Sequence, residues 1–176
     1  MAWSAINGVA GSYSEKVPIV CLCGSVPLKS LNRNLLIHHT SADTDRDAVL
    51  RGYAQVTAAQ TRLTPQNAAS EIDRLILTAW QRKLPVYLEL PSDIAHLHVE
   101  VPTEPLEFLM PPSDPEQLTT CADAIVAHLT SAYSPTILID LDAERFDVAR
   151  EVEELAGKLQ LPIAATTTAK GVIDET

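Results

Sequence analysis

Thr136-Ile137-Leu138-Ile139-Asp140-Leu141 is a short apolar run without helical spacing, and together with the residues after it this run decides the fold class. Val148, Val152, Leu155, Ala156 and Leu159 recur at helical intervals, and Leu161 to Ala165 is a second short apolar run. Strand, helix and strand in that rhythm predict a parallel pair joined by a crossover helix, hence an α/β fold. The same grammar holds further upstream. Ser4 to Lys16 carries Ala5, Ile6, Val9, Ala10 and Tyr13 at helical spacing, and it feeds an apolar, strand-like run from Val17 to Cys23 that Gly24 ends. Thr64-Pro65 has the form of an N-cap followed by proline at the first helical position. The helix it would open shows Ile72, Leu75, Ile76 and Ala79 on one face. Pro85-Val86-Tyr87-Leu88-Glu89-Leu90-Pro91 then forms a strand whose prolines sit at its ends, where they interrupt no interior ladder bond.

Between the two halves, Val99 to Pro115 holds five of the chain's 12 prolines among acidic residues and shows no periodicity, the pattern of an extended linker. Ser113 or Asp114 can cap a helix begun by Pro115, with Leu118, Cys121, Ala122, Ile125 and Leu129 as its expected buried face. Both halves have the form of pieces of open α/β domains, the second being short for a complete one. A parallel sheet needs both faces covered, so missing strands would leave an exposed edge, apolar surface and a tendency to associate.

Composition narrows the classes of function. In 176 residues, 46% hydrophobic content is that of a core-forming chain, while a net charge of −10 without a basic cluster argues against nucleic acid, whose phosphates demand lysine and arginine. No apolar run approaches the roughly 18 to 20 residues that span a bilayer, and no basic segment leads into an apolar one at the N-terminus. The expectation is a cytoplasmic chain with no membrane partner. Cys21, Cys23 and Cys121 are an odd set without framework spacing, which suits a reducing compartment. C-x-C inside an apolar run is a buried pair of small hydrophobes rather than half of a zinc site, which favours wider spacing, so no metal ligands are assigned.

Several residues carry candidate chemistry. His38-His39, after Leu35-Leu36-Ile37, titrate near neutral pH and can donate and accept protons in one cycle; surface or second-layer histidines are the alternative. Gly8 and Gly11 lie inside a helix, where each costs about 1 kcal/mol relative to alanine, so either a ligand or partner approaches the backbone or the helix packs tightly on a sheet. The segment is neither a P-loop nor a dinucleotide fingerprint. Asp140 and Asp142 end a strand at the edge where α/β proteins bind ligands, or belong to a solvated loop. His96, His98 and His128 have no supporting constellation, and the charges at Asp73, Arg74, Glu151, Glu153 and Glu154 suit solvated helix faces.

Taken in order, Ser4-Ala5-Ile6-Asn7-Gly8-Val9-Ala10-Gly11-Ser12-Tyr13-Ser14-Glu15, Gly24-Ser25-Val26-Pro27, Leu35-Leu36-Ile37-His38-His39-Thr40, Glu71-Ile72-Asp73-Arg74 and the strand 85–91 resemble the thiamine diphosphate-dependent 2-oxo acid decarboxylases, the pyruvate, indolepyruvate and phenylpyruvate decarboxylases among them. Thr166-Thr167-Thr168-Ala169-Lys170-Gly171-Val172-Ile173-Asp174-Glu175 is similar to a central-domain segment of the same family. The resemblance implies an incomplete open parallel sheet of a pyrimidine-binding domain over 1–98, a proline-rich linker over 99–113, and the start of a Rossmann-like central domain over 114–176. It implies a 2-oxo acid substrate that yields an aldehyde and carbon dioxide, thiamine diphosphate as electron sink, and a homo-oligomer in the full-length enzyme. His38 and His39 match the family's active-site histidine pair, and Asn7 and Gly8 match a helix beside the cofactor's pyrimidine.

The chain also departs from the pattern. The family's catalytic glutamate lies upstream of the Asn-Gly segment, and the diphosphate-binding domain with its Mg2+ ligands comes well after a point equivalent to Thr176. After the histidines, Thr40-Ser41-Ala42-Asp43-Thr44-Asp45-Arg46-Asp47 replaces a glycine-rich stretch with a phenylalanine. The expectation is a fragment inactive by itself. The alternatives are a non-catalytic interaction module on the same scaffold and another thiamine diphosphate enzyme of the acetolactate-synthase kind.

Overall fold

A computed structural model describes residues 2–33, 35 and 45–173. They form two compact units, 1–108 and 109–176. The first unit runs α1 (Ile6–Ser14), β1 (Val20–Ser25), α2 (Leu28–Asn32), α3 (Ala48–Tyr53), β2 (Ala59–Arg62), α4 (Ala68–Arg82) and β3 (Val86–Pro91), with a single 3-10 turn at Ala2–Ala5 before α1. Its three strands are parallel in the order β1-β3-β2. This is the expected open α/β sheet.

β3 is central because it alone is apolar enough to be covered on both faces: Val86, Tyr87 and Leu88 are all buried. On one face Val86 and Leu88 meet Leu63 and the α4 residues Ala68, Leu75 and Ala79. On the other, Tyr87 meets Val9 of α1 and Tyr53 of α3, with Cys21 and Cys23 packed alongside as half-buried small hydrophobes. β1 is an edge strand whose Leu22 is 59% exposed. Its outward row thus presents the uncovered apolar surface that an incomplete sheet was expected to leave.

Two boundaries and three short elements differ from the sequence reading. β1 runs through Gly24 to Ser25 rather than stopping at the glycine. α4 opens at Ala68, not at Pro65: Thr64 to Asn67 is a turn in which the Thr64 Oγ1 accepts from the Asn67 amide (3.3 Å) and the Asn67 Oδ1 accepts from the Thr64 amide (2.7 Å). Thr64 therefore closes a turn with Pro65 at its first corner, a position proline suits as well as a helix start. α2, α3 and β2 were not anticipated at all. They are too short to show a period.

Gly52 of α3 lies under the indole ring of Trp3, so close that a Cβ there would overlap Cζ3 and Cη2. The hydroxyl of Tyr53 donates to the Ala2 carbonyl at 2.5 Å, so α3 and the N-terminal turn are fastened together at two points. Gly52→Ala is expected to displace the half-exposed Trp3 ring at a net cost under about 1 kcal/mol, because the helix gains from alanine about what the clash costs, and Trp3→Ala in the same chain should turn the change into a higher urea midpoint.

The second unit contains α5 (Pro115–Ser131), β4 (Ile137–Ile139), α6 (Leu141–Arg145), α7 (Ala149–Leu159) and β5 (Ile163–Ala165). β4 and β5 are parallel, in register from Ile137 opposite Ile163, as the strand-helix-strand rhythm predicts. Ile139, Ala143 and Ile173 form its core, with Val152, Ile163 and Ala165 against it. Asp114 caps α5 by accepting from the Glu116 and Gln117 amides, with Pro115 in the first turn. The expected buried face of α5 is not buried, however. Leu118, Cys121, Ala122 and Ile125 are exposed and only Leu129 is partly covered, because no sheet lies over them among the described residues. Leu138, which points away from α7, is 70% exposed for the same reason. None of the described helices is long and apolar enough to cross a membrane.

Candidate functional site at the carboxyl edge of the first sheet

In parallel sheets, ligands meet the protein beyond the carboxyl ends of the strands. Here that edge is formed by Ser25, Arg62 and Pro91, and α1 leads into β1 through residues 15–19; its first turn is the other feature the sequence singles out. Asn7 and Gly8 occupy that turn and are exposed. Nothing lies within 4 Å of a Cβ built at Gly8 or Gly11, so tight helix-on-sheet packing, one of the two readings of these glycines, is overturned. The glycines leave open backbone available to something outside the described chain. The hydroxyl of Ser25 is buried without a hydrogen-bond partner among the described residues. Such an atom carries a desolvation cost that a bound group or a neighbouring segment can offset.

His38 and His39 lie outside the described residues. Both flanks of their segment are anchored, and at this same edge. Before it, Asp93, just past β3, accepts from the Leu28 amide (2.8 Å) and the Lys29 amide (3.2 Å) at the start of α2. Those amides hold the Asp93 carboxyl below its usual range. After it, the guanidinium of Arg62 donates from Nη2 to the Arg46 carbonyl (2.6 Å) and from Nη1 to Asp47 (2.9 Å). Its Nε donates to Glu89 at 2.6 Å.

Glu89 is 3% exposed, in the middle of an otherwise apolar strand. A carboxylate so placed needs partners, and it has two: Arg62 on the neighbouring strand and the Tyr87 hydroxyl at 3.3 Å. Burial alone would lower the Arg62 pKa, but Glu89 and Asp47 outweigh it and hold the guanidinium charged. Below this row, Tyr53 and Tyr87 stack at 3.8 Å between ring centroids. Burial and the nearby cysteine sulfurs push the Tyr53 hydroxyl up to about 12, and burial, the Glu89 carboxylate and Cys23 push that of Tyr87 further still, so neither changes charge near neutral pH. Burial and the neighbouring Cys23 likewise raise the Cys21 thiol, although Tyr53 works against this. This layer orders the edge; it does not exchange protons there. Among the described residues no cluster of three or more His, Cys, Asp or Glu could hold a metal ion.

Sequence reasoning missed Arg62, Glu89, Asp93 and Ser25. Only Glu89 left a signal, as a charge inside a run of buried strand residues. The others depend on which strand ends meet. In the second unit, Asp140 is exposed, but its carboxylate is engaged. Its Oδ1 accepts from the hydroxyls of Thr166 (2.6 Å) and Thr168 (2.7 Å) and from the Leu141 amide (2.8 Å), which lowers its pKa and ties the end of β4 to the segment after β5. Arg74 pairs with Glu71 on the surface of α4, and this pair and the Thr61 hydroxyl hold the Glu71 carboxyl down to about 2.

No family model matches the sequence. Individual proteins do. The chain is 36% identical over 176 residues to a pyruvate decarboxylase of Aspergillus terreus and 35% identical over 175 residues to pyruvate decarboxylase isozyme 2 of Saccharomyces cerevisiae. It is 33% identical over 173 residues to an indole-3-pyruvate decarboxylase of Azospirillum brasilense. Each comparison takes in 98% of this chain. Along nearly its whole length the chain is thus similar to pyruvate and indole-3-pyruvate decarboxylases. It spans about a third, 31%, of the length of the curated relatives it matches. The similarity runs through both units.

Proposed function

We propose that these 176 residues are part of a thiamine diphosphate-dependent, non-oxidative 2-oxo acid decarboxylase, with residues 1–98 in a pyrimidine-binding domain, 99–113 as linker and 114–176 opening a Rossmann-like central domain. The observation that carries this reading is likeness to pyruvate and indole-3-pyruvate decarboxylases over 98% of the chain. The described residues offer features that suit the pyrimidine end of such a cofactor: an exposed Asn7 amide, open backbone at Gly8 and an orphaned Ser25 hydroxyl. They supply no donor set for a diphosphate or for Mg2+, whose ligands this reading places on segments outside the chain.

Thiamine diphosphate, when bound, supplies the electron sink that lets carbon dioxide leave a 2-oxo acid. The chain's own share is placement and protons. His38 and His39 handle the proton that the released aldehyde needs, and Asn7 and Gly8 border the pyrimidine; Asp93 and Arg62 hold described residues before and after the histidine segment. The exposed β1 edge and the uncovered α5 face favour burial against further protein, in keeping with a homo-oligomer in the full-length enzyme. The three unpaired cysteines fit a cytoplasmic setting.

The test is turnover of pyruvate, phenylpyruvate and indolepyruvate to aldehyde with thiamine diphosphate and Mg2+ present. The 176-residue chain is expected to give none, and the full-length protein containing it should turn over. His38→Gln or His39→Gln in that protein should lower kcat by about 10²–10⁴-fold, the usual worth of a positioned proton donor. Turnover by the 176-residue chain alone would overturn the partial-chain reading, and undiminished kcat in both histidine variants would overturn their role.

A further inference from the structure

We propose that the free edge of β1 is a self-association surface: β1 of a second copy of this chain pairs with it antiparallel about Leu22, joining two three-stranded sheets into one. This pairing is independent of the decarboxylase chemistry.

The Val86 amide donates to the Ile19 carbonyl (2.8 Å) and the Ser92 amide to the Ser25 carbonyl (3.1 Å), so Ile19, Cys21, Cys23 and Ser25 turn their peptide groups to β3. Alternation then turns the N–H and C=O of Val20, Leu22 and Gly24 to the side on which, among the described residues, no strand pairs with β1. The Gly24 carbonyl meets the Cys23 thiol at 3.7 Å, a weak contact that leaves it a lone pair. Proteins usually blunt such an edge with charge or proline. The opposite edge strand, β2, carries Arg62, whereas Val20–Ser25 has neither a charge nor a proline. Neutrality extends over residues 17–28, in a chain of net charge −10. A second copy brings the same excess of acid and meets least repulsion where neither copy presents any. Glu15 and Lys16 lead into this stretch and Lys29 follows it, so antiparallel pairing sets the Glu15 end of each copy toward the Lys29 end of the other.

The edge also fits its own copy. A two-fold axis at Leu22 sets Leu22 against Leu22 and Val20 against Gly24, and each such pair exchanges both of its N–H···O bonds. A shift of two residues would leave an outward residue of each strand unpaired. The axis runs through the sheet, so the α4 faces of both copies stay on one side. There Leu22, 59% exposed, gains its twin as a neighbour, and nothing lies within 4 Å of a Cβ built at Gly24 to obstruct Val20. On the other face Cys21 stands across from Cys23 of the second copy in a non-hydrogen-bonded pair, with Cα atoms about 4.5 Å apart, within the span of a disulfide. The contact is small, six residues a side against about 20–30 in a standard interface, so the dimer forms and dissolves with concentration.

In sedimentation equilibrium of the 176-residue chain, the weight-average mass is expected to rise toward twice that of the monomer between about 10 µM and about 1 mM. Leu22→Lys sets like charges opposite each other at an exposed position and should move that rise to at least about tenfold higher concentration. Ile125→Lys, on the exposed face of α5, should leave it in place. Diamide, which takes up two electrons and two protons for each disulfide formed, should join two chains between the Cys21 and Cys23 sulfurs. That covalent dimer should persist in Cys121→Ser and be lost in Cys21→Ser and in Cys23→Ser. A mass that stays monomeric throughout, a rise that Leu22→Lys leaves in place or Ile125→Lys removes, or the lack of a covalent dimer in Cys121→Ser overturns the β1 pairing.

Discussion

Glu89→Ala is expected to destabilise the first unit by about 3–5 kcal/mol, because it leaves the Arg62 guanidinium facing the sheet without its main counter-charge. The side chain of Arg62 is itself largely buried, and its contacts to Asp47 and the Arg46 carbonyl keep it from swinging into water. The Tyr87 hydroxyl loses its acceptor in the same variant, inside a core where neither ring can turn away from its stacked partner. Most single domains hold only about 5–15 kcal/mol in all, so the variant should be near the limit of folding. Urea titration followed by tryptophan fluorescence measures this directly, since both tryptophans, Trp3 and Trp80, lie in the first unit. Arg62→Met combined with Glu89→Met should recover most of the loss. Equal destabilisation by the single and the double variants would show that the cost is packing, not an orphaned charge.

Leu75→Ala is expected to cost about 2–5 kcal/mol, whereas Ile125→Ala should cost no more than about 0.5 kcal/mol. Leu75 is 0% exposed, on the face of α4 that closes against Val86 and Leu88, and truncation leaves a cavity those strand residues cannot collapse to fill. Ile125 holds the matching place in the apolar pattern of α5 and is 53% exposed. Urea midpoints read by tryptophan fluorescence report Leu75→Ala. Far-ultraviolet circular dichroism reports Ile125→Ala, since the second unit has no tryptophan. A large loss at Ile125 in the 176-residue chain would mean that its face is covered in solution.

That contrast marks the limit of pattern reading. Apolar residues at helical spacing say that a face is suited to burial, and they said so equally for α4 and α5. Whether the face is buried depends on a partner surface, and periodicity within one helix carries no information about that. Helix starts show a related limit. Pro115 after Asp114 does open α5, while Pro65 after Thr64 turns a corner, and the two differ only in the hydrogen bonds made three residues on. The glycines of α1 were legible as an anomaly but not as an answer. Their empty surroundings, not their spacing, dismissed close packing on the sheet.

By itself the sequence determined the α/β class, the parallel pairing of β4 with β5 and a strand over 85–91. All of these come from local period and from where proline and glycine can stand. The ordered motifs likewise sufficed for the resemblance to decarboxylases. Only the tertiary structure decided that Glu89, Arg62 and Asp47 form one network, and that Asp93 and Arg62 anchor the two flanks of the histidine segment at the same edge. It also decided that Asp140 ties two strand ends together. Those contacts join residues far apart in sequence through the register of a parallel sheet, and register is a property of paired strands that no single strand contains.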